Sequence, residues 1–174
     1  MVQKSKNVSS MSNEARNSYV IEHISQALFQ LLQEKPISDI RISEICEIAG
    51  VGRMSFYRNY KSKEDVIAKK LLALIQEWGD DFENKGDPNY FSESLILHYY
   101  NHKDLYLLLH KQGLSGMIHE TIRAACKLDE AESNLERYAK SMFAGMIWGW
   151  IDEWMRQGMP ETPDELNLLT TQAR

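Results

Sequence analysis

Residues 42–60 read Ile42-Ser-Glu-Ile-Cys-Glu-Ile-Ala-Gly-Val-Gly-Arg-Met-Ser-Phe-Tyr-Arg-Asn-Tyr60. Ile42, Ile45 and Ala49 form an apolar stripe at helical spacing, which predicts a short helix over about 42–49. Ser43 and Glu44 suit its first turn, because a helix N-terminus favours capping oxygens and negative charge. Gly50 sits where a left-handed residue ends a helix, Gly52 can cap the next one, and a second short helix follows from Arg53 to about Tyr60. Ile45, Ala49, Val51 and Phe56 would hold the pair at its crossing angle, with the small Ala49 allowing close approach. Two short helices joined by a glycine-bounded turn are the ingredients of a helix-turn-helix. The outer side of the second helix offers Arg53, Ser55, Tyr57, Arg58 and Asn59 as donors, with Lys61 and Lys63 beyond. Arginine can read guanine edges, and the other donors can bind phosphates. An ordinary αα corner with a solvated polar face has the same ingredients.

On the N-terminal side, Val20, Ile21, Ile24, Ala27, Leu28, Leu31 and Leu32 recur at spacings of three and four, so a supporting helix runs from Asn13 to near Lys35. Pro36 disfavours helical geometry at the residue before it and ends that helix. On the C-terminal side, Ser62-Lys63-Glu64-Asp65 resembles a capping box and opens a long fourth helix through Val66, Leu71, Leu74, Trp78 and Phe82. Gly86-Asp87-Pro88 is the clearest break in the chain. Beyond it, helical patterns lie near 90–101, 103–112 and 114–127. The strongest spans about Glu130 to Gln157, with Leu135, Tyr138, Met142, Met146, Trp150 and Trp154 read as one face. Gly158 stops it, and Thr162-Pro163 starts a last short helix. No useful period-2 stretch occurs, so the chain is expected to be all-α.

At this point the residues resemble a known family. Ile45-Cys-Glu-Ile-Ala-Gly-Val51, Phe56-Tyr57, Tyr60 and Ser62-Lys63-Glu64 are similar to the DNA-binding signature of TetR/AcrR-family transcriptional regulators. The resemblance implies a three-helix DNA-binding head joined by a long fourth helix to a helical-bundle ligand and dimerisation domain. It also implies a mobile arm over 1–12, a head over 13–70 and a body over 71–174. By the same resemblance Arg53 and Met54 start the recognition helix facing bases, and Ser43 sits at the matching start of the helix before it. Ser55, Arg58 and Asn59 match phosphate-facing positions. Tyr57 matches an aromatic that meets the DNA backbone or a thymine methyl, and Lys63 matches a phosphate-binding lysine at the N-terminus of the fourth helix. The sequence departs from the pattern in Gly52 for a Ser or Thr cap, in Arg41 for a Thr, and in the bulky Met54. Arg41 can trade a cap for a phosphate contact. The implied partners are a double-stranded DNA operator and a second copy of the chain.

The rest of the 174 residues sets bounds. Residues 1–70 carry 11 Lys and Arg against 8 Asp and Glu, whereas residues 71–174 carry 9 against 17. A basic third on an acidic body places any nucleic-acid footprint at one end, although so small an excess also arises by chance. Two cysteines, Cys46 and Cys126, exclude a disulfide framework and fit a reducing cytoplasm. No apolar run approaches the roughly 18 residues of a membrane span, and the N-terminus lacks the apolar core of a signal peptide, so a cytoplasmic protein without a membrane partner is expected.

Gly145 and Gly149 are four apart on the strong C-terminal helix and open a groove for another helix. Core packing accounts for that spacing, and so does a homodimer face of Met142, Gly145, Met146, Gly149, Trp150 and Trp154. Phe143 to Leu166 also resembles the last helices of one TetR-like C-terminal subgroup, which implies dimerisation by a four-helix bundle. Trp78, Tyr99, Tyr106, His110 and Met117 are candidates to line a pocket for an unidentified small-molecule or protein effector. Enzyme motifs fail: His119-Glu120-Thr-Ile-Arg123 lacks the second His of HExxH, and no GxSxG, P-loop or GxGxxG occurs. His98 and His102 could share a metal but are read as a solvated pair, and neither a metal nor a cofactor is expected. The expected function is that of a homodimeric repressor released from a palindromic operator by a ligand or partner. The alternative is a helical protein-interaction module or co-regulator-dependent activator with little autonomous DNA binding.

Overall fold

The computed structural model describes residues 12–85 and 87–172. The arm expected over 1–12 lies outside them except for Ser12, as does Gly86 of the break. Among the described residues the chain is helical with no strand: α1 (Asn13–Glu34), α2 (Ile42–Ile48), α3 (Arg53–Asn59), α4 (Lys63–Lys85), α5 (Phe91–Asn101), α6 (Lys103–Lys111), α7 (Ser115–Ala125), α8 (Asn134–Arg156) and α9 (Pro163–Gln172). Short 3₁₀ turns lie at Ile37–Asp39, Pro88–Tyr90 and Leu128–Glu130. The chain divides into two compact units at Val66 and Ile67.

In the first unit, Ser12 caps α1 by accepting a hydrogen bond from the Ala15 amide at 3.1 Å. Ile24, Ala27, Leu28, Leu31 and Leu32 make its buried stripe, and α1 packs on α2 and α3. Ile45, Cys46, Ala49, Phe56 and Tyr60 fill the other side of this core, whereas Val51 is only half-buried. Fully burying side chains such as Leu28 or Phe56 contributes on the order of 1.5–3 kcal/mol each. The turn between α2 and α3 is fixed locally. Gly50 takes φ +65°, its amide bonds Glu47 O at 3.2 Å, and the Val51 amide bonds Cys46 O at 3.0 Å. That left-handed glycine satisfies two helix-end carbonyls at once.

In the second unit, α5 packs on α6 and α9, and α8 packs on α6 and α7. Leu95, Ile96, Leu109, Ile118, Ile122 and Ile151 belong to its core. The strong C-terminal helix begins at Asn134, later than the Glu130 expected. Lys127 takes a left-handed φ of 52°, Leu128–Glu130 tighten into a 3₁₀ turn, and Ser133 caps the helix by accepting from the Glu136 amide at 3.1 Å. The Ser133 cap sets the start. Gly158, at φ +82°, ends α8 as Gly50 ends α2, with the Met159 amide on Trp154 O at 2.8 Å.

Candidate nucleic-acid interface

The helical period sorts α3 into two sides. Phe56 and the following Tyr60 point into the core, 0% and 4% exposed, while Met54 is 79% and Tyr57 56% exposed, with Arg53 and Arg58 beside them in solvent. The Phe56 ring meets Tyr57 edge-on, centroids 5.5 Å apart at 81°, so the core ring sets the position of the outer one. Ser55 is half-buried, and the Asn59 amide donates back to Ser55 O at 3.0 Å.

A groove of about 430 Å³ runs beside α3 between the N-termini of α2 and α4, lined by Arg41, Ser43, Arg53, Tyr57 and Lys63 together with Ile40, Ile42, Ser62 and Glu64. Five of the nine residues expected at DNA thus share one concave surface. Met54, Ser55, Arg58 and Asn59 lie elsewhere on α3. An arginine pair, a hydroxyl and a phenol around one groove offer directional donors to an anionic backbone.

Two contacts there were not readable from the sequence. Glu44 accepts from the Arg41 amide at 2.8 Å and from Lys35 Nζ at 2.6 Å, and the lysine bond is the main reason its carboxyl titrates below the usual range. The Lys63 ammonium donates to the carbonyl oxygens of Ile37, Ser38 and Ile40, the last at 2.9 Å. Its donors are turned toward the chain.

In the second unit, the stripe read along α8 divides. Leu135, Tyr138, Met142 and Met146 are exposed by 80, 67, 76 and 64%, but Trp150 is half-buried and Trp154 is 4% exposed. Trp154 therefore belongs to the core, which corrects its place in an outer face. Each four-residue step advances about 40° beyond a full turn, so a run of such steps winds around the helix from solvent to core. Gly145 and Gly149 lie on the exposed arc, and a Cβ on either would meet nothing within 4 Å.

An apolar cavity of about 430 Å³ is lined by Trp78 and Tyr99, as expected, and by Phe91, Leu95, Cys126 and Phe143 among others. Lys140 also lines it, with its ammonium held by Glu136 at 2.7 Å and by Lys127 O at 3.1 Å. Tyr106, His110 and Met117 are not in its lining. The Tyr106 hydroxyl pairs with His98 Nε2 at 2.8 Å, His110 Nδ1 with Ser115 Oγ at 2.9 Å, and Met117 is half-buried on α7. His98 is likewise no solvated residue: at 6% exposure, burial first and then the neighbouring His102 bring its pKa down to about 4. No group of three or more His, Cys, Asp or Glu side chains is placed to hold a metal ion among the described residues. No helix among them is long and apolar enough to cross a membrane.

Comparison with known proteins bears on the first unit and on the fold. Residues 24–69 match the family model described as bacterial regulatory proteins, tetR family, a span that contains α2, the glycine turn and α3. The crystal structure of Lin0861 from Listeria innocua is similar over 94% of this chain and 93% of that one, with a TM-score of 0.75 at 18% identity, which is a likeness of fold. Residues 24–69 are thus a DNA-binding domain of the tetR type, and a chain that carries it is a DNA-binding transcriptional regulator.

Proposed function

We propose that the protein is a cytoplasmic homodimeric repressor that binds a palindromic operator and is released by an effector. In this reading residues 13–70 form the DNA-binding head, and residues 71–174 hold the dimer face and the effector site. The observation that carries the reading is the groove of the head, where Arg41, Ser43, Arg53 and Tyr57 converge beside an α3 whose Met54 is 79% exposed. A seven-residue recognition helix reads one half-site. Two-fold pairing sets two such helices about one turn of DNA apart.

The exposed arc of α8 supports pairing. Leu135, Tyr138, Met142 and Met146 present apolar bulk around Gly145 and Gly149, where a partner helix can approach the backbone closely. Exposed apolar side chains in a contiguous stripe mark an interaction surface. The cavity lined by Trp78, Phe91, Tyr99 and Phe143 supports an effector site. Its volume lies within the range of ligand pockets, and its one cation is already paired, so it suits an uncharged apolar molecule. Such a molecule would release DNA by binding one conformation of the dimer more tightly than the other.

The test is selection of duplexes from a random pool, followed by titration of the enriched site at several salt concentrations. A palindrome bound by a dimer, and lost in Arg53→Ala and Tyr57→Ala, is the expected result. Weak binding blind to sequence would overturn autonomous operator reading and favour a co-regulator-dependent protein. An operator complex that no apolar compound dissociates would overturn release through the cavity.

A further inference from the structure

We infer that Lys63 is a positioning residue of the DNA-binding head, one that sets the mouth of the groove from inside instead of holding a phosphate. The inference rests on the DNA-binding role of the head. An ammonium has three donors and no acceptor, and at Lys63 three backbone carbonyls face it: Ile37 O, Ser38 O at 3.4 Å and Ile40 O at 2.9 Å. The side chain is half-buried. These carbonyls belong to the 3₁₀ turn and the residue after it; Ile37 O also accepts the Ile40 amide at 3.2 Å, and carbonyl oxygens need partners where water is partly excluded. A phosphate at Lys63 would have to take a donor from one of them.

The consequence is geometric. Ile40 leads directly into Arg41 and Ser43, which form one wall of the groove, while Lys63 opens α4 three residues after Tyr60 ends α3. The lysine bridge therefore joins the chain entering α2 to the chain leaving α3 and closes the helix-turn-helix into a ring. A second lysine acts in parallel: Lys35, just past α1, bonds Glu44, whose other oxygen accepts from the Arg41 amide. The Arg41 wall of the groove is thus held twice, by Lys63 on the carbonyls before it and by Lys35 through the Glu44 carboxylate. Among the described residues, the other cations lining the groove are Arg41 and Arg53, with Arg58 exposed on α3 and Lys61 exposed just beyond it.

Phosphate ligands and positioning residues leave different marks on salt dependence. Each phosphate contact contributes roughly 0.9 to the slope of log affinity against log salt, for specific and non-specific DNA alike. The experiment measures that slope for wild type, Lys63→Met and Lys63→Arg, on the duplex selected by the wild type and on a mixed-sequence duplex, at temperatures where melting curves show each variant folded. The expected result for Lys63→Met is a loss of roughly tenfold or more on the selected duplex, with the slope unchanged and the mixed-sequence affinity unchanged. Lys63→Arg keeps the charge but places a planar fork where three carbonyls surround a point charge, so it too loses affinity for the selected duplex. It also serves where Lys63→Met fails to fold. A slope lower by roughly 0.9 and an equal loss on both duplexes would overturn the inference. So would full affinity in Lys63→Arg, or no change in Lys63→Met. If the wild type itself selects no duplex, the fault lies with operator reading and not with Lys63.

Discussion

Met54 and Met142 are almost equally exposed, by 79% and 76%, and yet their surroundings make them different surfaces. Met54 stands on α3 beside Arg53, Tyr57 and Arg58, all exposed and all able to donate hydrogen bonds. Met142 stands on α8 among Leu135, Tyr138 and Met146, with two glycines for company and no charge between them on the arc. The first setting suits a polyanion with grooves, the second another apolar helix. What a side chain recognises is set by its neighbours at the helical period, and exposure alone does not distinguish the two.

Exchanging charge between the two sites separates them most sharply. Glutamates at Met142 and Met146 would bury four carboxylates in a paired α8 face, and each would cost several kcal/mol if left unpaired. The dissociation constant of the proposed dimer is then expected to rise by at least about a thousandfold in sedimentation, with the fold of each protomer intact. Met54→Glu is expected to abolish operator binding and leave the sedimenting mass unchanged. If both changes altered the mass, or neither did, the contrast between the faces would be wrong.

The two units also differ in how they keep polar groups. The head sets its donors around a groove, whereas the second unit buries His98 against Tyr106. A histidine whose folded pKa is about 4, against about 6.5 unfolded, stays neutral in the folded protein while the unfolded chain takes up a proton. Its stabilisation is present above pH 6.5 and is lost as the pH falls toward 4. About 2 kcal/mol should be gone at pH 5. Urea melts of wild type and His98→Gln between pH 7 and pH 5 check this, and the variant's stability should fall less steeply. Equal slopes would place the acid sensitivity elsewhere.

The smallest effect is the most selective. Gly145→Ala adds a methyl that meets nothing within the protomer, and alanine is favoured over glycine inside a helix by up to about 1 kcal/mol. The protomer should therefore melt slightly later while the proposed dimer weakens, since the same methyl would stand in the path of a closely packed partner. Strengthening of both would remove Gly145 from the paired face.

The helix-turn-helix was legible in the sequence because its signals are short-range. The Ile45 and Ala49 stripe, the left-handed Gly50 and the inward Phe56 each act within about one helical turn. The outer side of α3 was legible for the same reason, since a period of 3.6 places Met54 and Arg58 opposite Phe56, with Arg53 and Tyr57 together on one flank. Lys63 was legible as a position but not as a bond, because its acceptors lie 23 to 26 residues earlier in the chain. Trp154 was misplaced by a spacing that looked constant but wound around α8. The i, i+4 spacing of His98 and His102 carries no mark of Tyr106, which reaches His98 from the next helix. The cavity draws on Trp78, Phe91, Cys126 and Phe143 from separate parts of the chain, and no motif joins them.

The sequence by itself determined the all-α class, the helix stops and which short helix carries the exposed donors, because caps, glycine conformations and hydrophobic period are properties of neighbouring residues. The tertiary structure alone decided which way the Lys63 ammonium turns, which tryptophan is core and where the cavity opens. Those outcomes depend on polar and apolar groups brought together by packing from distant parts of the chain, where burial leaves each donor only the partners that the fold supplies.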